Sequence, residues 1–194
     1  MIPSTESIAQ STAAAAAAHV PPAAQAAASL KLDPRLKSVR AFIEQGDYQR
    51  ALTGLTNNLA DSEAINCRAV CLMRLGKFSQ AIGPLRTLAL NTSTFHLRSE
   101  TPLHIRINYA LALFFGGEPA GGMEALSDIR REDDPQIKLL RAHAKQWTAA
   151  MNVFQRFDWY VNRIAPKHRP TPPTQSVGYC VWEFHDDLAA DQPA

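Results

Sequence analysis

The chain has 194 residues, 46% of them hydrophobic and 20% charged, the proportions of one globular domain of ordinary size with some chain left over. Twenty Lys and Arg against eighteen Asp and Glu leave a formal charge of +2, which excludes a strongly basic nucleic-acid binder and an acidic solvating tail on bulk charge. No run approaches eighteen apolar residues, so no membrane span is expected; three cysteines are an odd, small number that argues against a disulfide framework and for a reducing, cytoplasmic setting.

Residues 1–30 are low in complexity. Twelve of them are alanine, with Pro3, Pro21 and Pro22 among them. The run Ala13 to Ala18 is too short to hold as an isolated helix in water. A secretory signal needs a basic start and a strongly apolar centre, and Glu6 and the weakly apolar alanines supply neither. The segment is expected to be a disordered tail.

Residues 31–165 place apolar side chains at helical spacing, and no stretch alternates with the two-residue period of a strand. Within them a pattern recurs. Gly46-Asp47-Tyr48 is followed by Ala51, Leu52 and Leu55; Gly76-Lys77-Phe78 is followed by Ala81, Ile82 and Leu85. A looser copy begins at Gly117 and runs through Pro119, Gly122, Met123 and Leu126. Each glycine predicts a helix end, because the closing residue takes a left-handed conformation that disfavours a Cβ. Asp47 can cap the helix that follows. The small residue three positions after the aromatic suits a close helix crossing, and the aliphatics complete a buried stripe. Apolar faces also precede the glycines: Leu36, Val39, Phe42 and Ile43; Ile65, Ala69, Leu72, Met73 and Leu75; Ile105, Tyr109, Ala110, Ala112 and Leu113. Each copy therefore predicts a helix, a tight turn and an antiparallel helix. The longer second step between glycines places an inserted surface loop at residues 91–101.

This pattern resembles the tetratricopeptide repeat over residues 31–134. Gly46, Tyr48 and Ala51, then Gly76, Phe78 and Ala81, carry the resemblance, with Ala69 and Ala110 as the small residues of the first helices. In the third copy Pro119 stands for an aromatic and Gly122 for an alanine. The resemblance implies an all-α superhelical repeat with a concave, partner-binding face.

A stack of repeats needs a cap over its last apolar face. Residues 135–165 are expected to provide it. Asp134 and Pro135 can open a helix, and Ile137, Leu140, Ala144, Trp147, Met151 and Phe154 form a stripe that continues, with a slip, to Phe157, Val161 and Ile164. One unbroken helix would span about 45 Å at 1.5 Å per residue; a break near Thr148 or Asn152 is the alternative.

Catalytic and cofactor signatures are not found. Cys67 and Cys71 share a helical face and suit packing better than half a metal site. His185-Asp186-Asp187 offers metal-ligand atoms only in a tail, and Glu132-Asp133-Asp134 suits a helix start. No phosphate-binding or nucleophile-elbow motif occurs. No catalytic residue, metal or cofactor is expected, nor a nucleic-acid or membrane partner.

The register of the first helices places Leu36, Arg40, Asn66, Val70, Arg74, Ile107, Leu111 and Phe114 on the concave face as candidate partner-binding residues. Arg40 and Arg74 can hold a carboxylate or the acceptor groups of an extended peptide. Asn66 can pair with a peptide bond, and Ile107, Leu111 and Phe114 would accept apolar side chains. Some tetratricopeptide proteins grip a C-terminal carboxylate with Lys, Asn and Arg; the corresponding positions here, Leu36, Arg40, Cys67, His104 and Asn108, do not supply that set.

Residues 166–194 change character again. Pro166, Pro170, Pro172 and Pro173 favour an extended chain, and the cluster Tyr179, Val181, Trp182 and Phe184 follows. Leaving it in water is costly, at roughly 1.5–3 kcal/mol per large side chain. Two fates are open: the tail folds back into the chain's own groove, with Tyr179, Trp182 and Phe184 docking there, or it docks on another chain. The expected function is non-catalytic binding of a peptide or partner protein in the groove. The alternative is a structural subunit that docks through its convex face or aromatic tail.

Overall fold

The computed structural model describes residues 34–55, 61–91 and 97–184. The expected N-terminal tail and the His185-Asp186-Asp187 group lie outside them. The elements are α1 (Pro34–Glu44), α2 (Tyr48–Leu55), α3 (Ser62–Arg74), α4 (Phe78–Ala89), α5 (Leu103–Gly116), α6 (Pro119–Ser127), α7 (Pro135–Ala149) and α8 (Val153–Phe157), continued by a π-helical turn at Asp158–Asn162. The described residues contain no strand; an isolated bridge joins Leu90 to Leu97 at the foot of the predicted loop.

Gly46, Gly76 and Gly117 occupy the three expected corners, with φ of 77°, 73° and 107°. The residue after each glycine donates its amide back across the corner: Asp47 to Phe42 O, Lys77 to Leu72 O and Glu118 to Leu113 O, at 2.8 to 2.9 Å. These bonds satisfy carbonyls that a helix end otherwise leaves without partners. Helix starts are set as locally. Asp47 Oδ1 accepts from the Arg50 amide, Asp61 caps α3, and Asp134 accepts from the amides of Gln136 and Ile137.

Consecutive helices from α1 to α6 pack on one another, and the first helices also meet side by side, α3 on α5 and α5 on α7. Small residues permit the crossings. Ala51, Ala69, Ala81 and Ala110 are buried. At Gly122 even a methyl group is too large, since a Cβ would lie 2.7 Å from the Phe114 amide nitrogen. That contact accounts for glycine where the other copies carry alanine. Phe78 is buried and its ring meets Phe115 at 5.4 Å, which ties the second pair to the third.

The capping region departs from one expectation. Ile137, Leu140, Ala144, Trp147 and Met151 are buried as the stripe predicts, but Phe154 is 82% exposed, and Phe157, Val161 and Ile164 are exposed with it. The helix breaks at Asn152, whose side chain accepts from Gln155 N at 2.8 Å while Gln155 Oε1 accepts from Asn152 N at 3.1 Å. This reciprocal cap starts a new helix, so the apolar stripe does not continue across it. Trp159 turns inward instead, edge-on to Trp147 at 4.9 Å.

Candidate functional site

The C-terminal segment lies across α1, α3, α5 and the start of α7, where the sequence places a partner-binding face. Val177, Cys180 and Trp182 are buried there. Residues 177–184 thus pack back onto the chain's own helices.

Four side chains of the helices hold its main chain, and one of them is Gln136, whose Oε1 accepts from the Gly178 amide at 3.4 Å. Asn108 Nδ2 donates to the Tyr179 carbonyl at 2.8 Å, and Asn108 Oδ1 accepts from the Tyr179 amide at 2.8 Å. Asn66 Nδ2 donates to the same carbonyl at 3.0 Å, and Asn66 Oδ1 accepts from Asn108 Nδ2 at 2.7 Å. Both amides are fully buried, and this network gives them the partners that burial demands. Arg74 donates from Nε to Val177 O and from Nη2 to Gly178 O. It also pairs with the Glu183 carboxylate at 2.7 Å. Glu183 Oε2 in turn accepts from the Cys180 amide, so one buried cation organises the bend between residues 177 and 183. Burial works to lower the Arg74 pKa, and the hydrogen bond and charge of Glu183 more than offset it, so the net shift is upward.

The side chains of the tail are accommodated one by one. Gly178 has φ of 80°, and a Cβ there would sit 2.7 Å from Met73 Cε and 3.1 Å from Asn108 Oδ1. Only glycine suits both the conformation and the space. The Tyr179 hydroxyl donates to Asp134 Oδ1 at 3.3 Å; burial first, then the Asp134 charge, pushes its pKa up. Phe184 packs against Tyr179 and the His104 ring, and His104 Nε2 lies 3.1 Å from Glu63. The Arg40 guanidinium sits 5.9 Å from the centre of the Trp182 ring.

All three cysteines meet in this contact. Cys67, Cys71 and Cys180 are free thiols and fully buried. Burial raises the Cys71 pKa to about 12, with Cys180 adding to it. Burial, then the hydrogen bond and charge of Cys67, raise that of Cys180. Such thiols are neutral packing groups near pH 7.

The predicted site residues divide into two groups. Asn66, Val70, Arg74 and Arg40 meet the tail. Asn66 donates to the Tyr179 carbonyl, and Arg74 holds the Val177 and Gly178 carbonyls and the Glu183 carboxylate, all of the chain's own tail. Arg40 meets the tail by its ring contact alone and pairs with Glu44 in its own helix. Leu36, Ile107, Leu111 and Phe114 are instead buried in the core, so the expected apolar end of the groove offers no open surface. For Phe114 the reason is α7, whose Trp147 packs edge-on against its ring at 5.8 Å. Asn108, Gly178 and Glu183 are missing from the candidate set. Asn108 carried a readable signal, a lone amide within the otherwise apolar run from Ile107 to Phe115.

Among the described residues no group of three or more His, Cys, Asp or Glu is placed to hold a metal ion, and no helix is long and apolar enough to cross a membrane. Comparison with protein-family models, curated proteins and solved structures finds no match for this chain.

Proposed function

We propose that this chain is a non-catalytic interaction module of the tetratricopeptide-repeat kind, and that its groove receives an extended peptide segment of a partner protein. The chain's own residues 177–184 are the resident occupant and compete with that partner. The observation that carries this reading is the grip of Asn66, Arg74 and Asn108 on main-chain atoms of Val177, Gly178 and Tyr179. Main-chain recognition suits any extended segment, with pockets for alternate side chains giving selectivity. A cytoplasmic location belongs to the same proposal and rests on three buried free thiols.

The test uses the full-length Gly178→Val variant, whose tail cannot seat. It should capture a labelled synthetic peptide of residues 170–184, and Asn66→Leu with Asn108→Leu on that background should abolish capture. No capture by an exposed groove would remove the receptor reading. It would leave the alternative, a structural subunit whose tail completes its core and whose docking surfaces lie elsewhere. The complete burial of Cys180 favours that second reading.

A further inference from the structure

Residues 153–164 leave six large apolar side chains in solvent. Val153, Phe154, Phe157, Tyr160, Val161 and Ile164 are 57% to 82% exposed. At helical spacing the first five gather on one side of α8 and the π-helical turn, with Ile164 just past the left-handed Arg163 that ends it, while Trp159 is buried against Trp147. The segment is thus anchored through one side and bare on the other. Single exposed apolar residues are ordinary, but a contiguous apolar patch marks an interaction site.

Two observations describe what fits there. A cavity of about 310 Å³ adjoins the bare face and shares Tyr160 with it. The buried aromatics Phe114, Trp147 and Trp159 line it, together with Arg141, Lys145 and Arg163. The second observation is charge. From residue 145 to 169 the chain carries Lys145, Arg156, Arg163, Lys167 and Arg169 against Asp158 alone. Arg156 is turned onto the carbonyls of Ala149 and Met151, and Arg141 pairs with Glu132. Lys145, Arg163 and Lys167 form no ion pair among the described residues.

We propose that this face docks an acidic amphipathic helix of another protein. Its apolar side lies along Val153, Phe157 and Val161, whose four-residue pitch meets a partner helix along its length. One large side chain enters the cavity, and carboxylates stand opposite Lys145 and Arg163, which line it. A second copy of this chain would set the same positive flank against itself, which is repulsive. A lipid surface has no anchor side chain to fill the recess between α7 and the π-helical turn.

The test titrates the full chain with a labelled synthetic amphipathic helix of Leu, Phe and Glu, and with its twin carrying Lys for Glu. The acidic peptide should bind about tenfold or more tighter than the basic one. Phe157→Glu should abolish binding, and Lys145→Glu with Arg163→Glu should weaken it about tenfold, all with unchanged circular dichroism. Asn108→Ala, which acts on the groove, should leave it unaltered. Equal binding of the two peptides would overturn the proposal. So would capture of phosphatidylserine vesicles with the acidic peptide ignored, or a dimer of the chain alone that Phe157→Glu dissolves.

Discussion

The Asn108 side chain meets the Tyr179 peptide group as a neighbouring strand would, giving one hydrogen bond and taking one, each of 2.8 Å. A buried amide thus stands in for a sheet partner in an all-helical setting, and Asn66 steadies it at 2.7 Å. This pair decides where the tail sits.

Asn108→Ala should loosen the tail. It leaves the Tyr179 amide and Asn66 Oδ1 buried without their partner, at a cost of about 1–3 kcal/mol. Amide exchange at residues 177–183 should quicken more than in α1 or α2. Unchanged protection of those amides would show that the network does not hold the segment.

Gly178→Ala should weaken the same contact by a different route. The new methyl group meets Met73 Cε, and the positive φ disfavours any Cβ by roughly 1–2 kcal/mol. Met73→Ala opens the space without relieving the backbone. The double variant should therefore recover part of the loss seen on adding the two single changes, measured by urea unfolding. Strict additivity would contradict the packing given for Gly178.

Stability should fall in alkali. Cys71, Cys180 and Tyr179 are acids whose folded pKa values are raised, so the folded chain holds their protons more tightly than the unfolded chain. The Cys71 contribution is fully present below pH 9.0, its ordinary thiol value, and is lost as pH rises toward about 12; those of Cys180 and Tyr179 are lost in the same direction. Each thiol adds a slope of up to about 1.4 kcal/mol per pH unit in that window. Urea melts at rising pH would show it, and Cys71→Ala should flatten the decline. A level profile across that range would refute the burial of these groups.

Two glycines in helices should respond with opposite sign. Gly121 in α6 would place a Cβ in ordinary contact with Leu113, at 3.6 Å, so Gly121→Ala should stabilise by about 0.5–1 kcal/mol through helix propensity. Gly122→Ala drives a methyl group into the Phe114 backbone and should destabilise by about 1–3 kcal/mol. Thermal melts of both variants provide the check. A neutral Gly122→Ala would mean that α5 and α6 can separate at little cost.

The helical hairpins were legible in the residues because their causes are local. A glycine at positive φ, a capping aspartate and a stripe of apolar side chains act within a few neighbours, so Gly46, Gly76 and Gly117 announce their corners. Asn66 and Arg74 could be marked as peptide-holding groups from chemistry and helical register alone. The need of Tyr179 and Trp182 for burial was equally plain. Their destination was not, because Asn66 and Tyr179 are 113 residues apart, and no pattern within a short window connects them. Only the packed structure decided that the tail lies on α1, α3 and α5, that α7 buries Phe114 beneath Trp147, and that the break at Asn152 turns Phe154 and Phe157 outward. Each of these depends on which surfaces meet after the helices have formed, a free-energy balance among distant groups that local spacing does not encode.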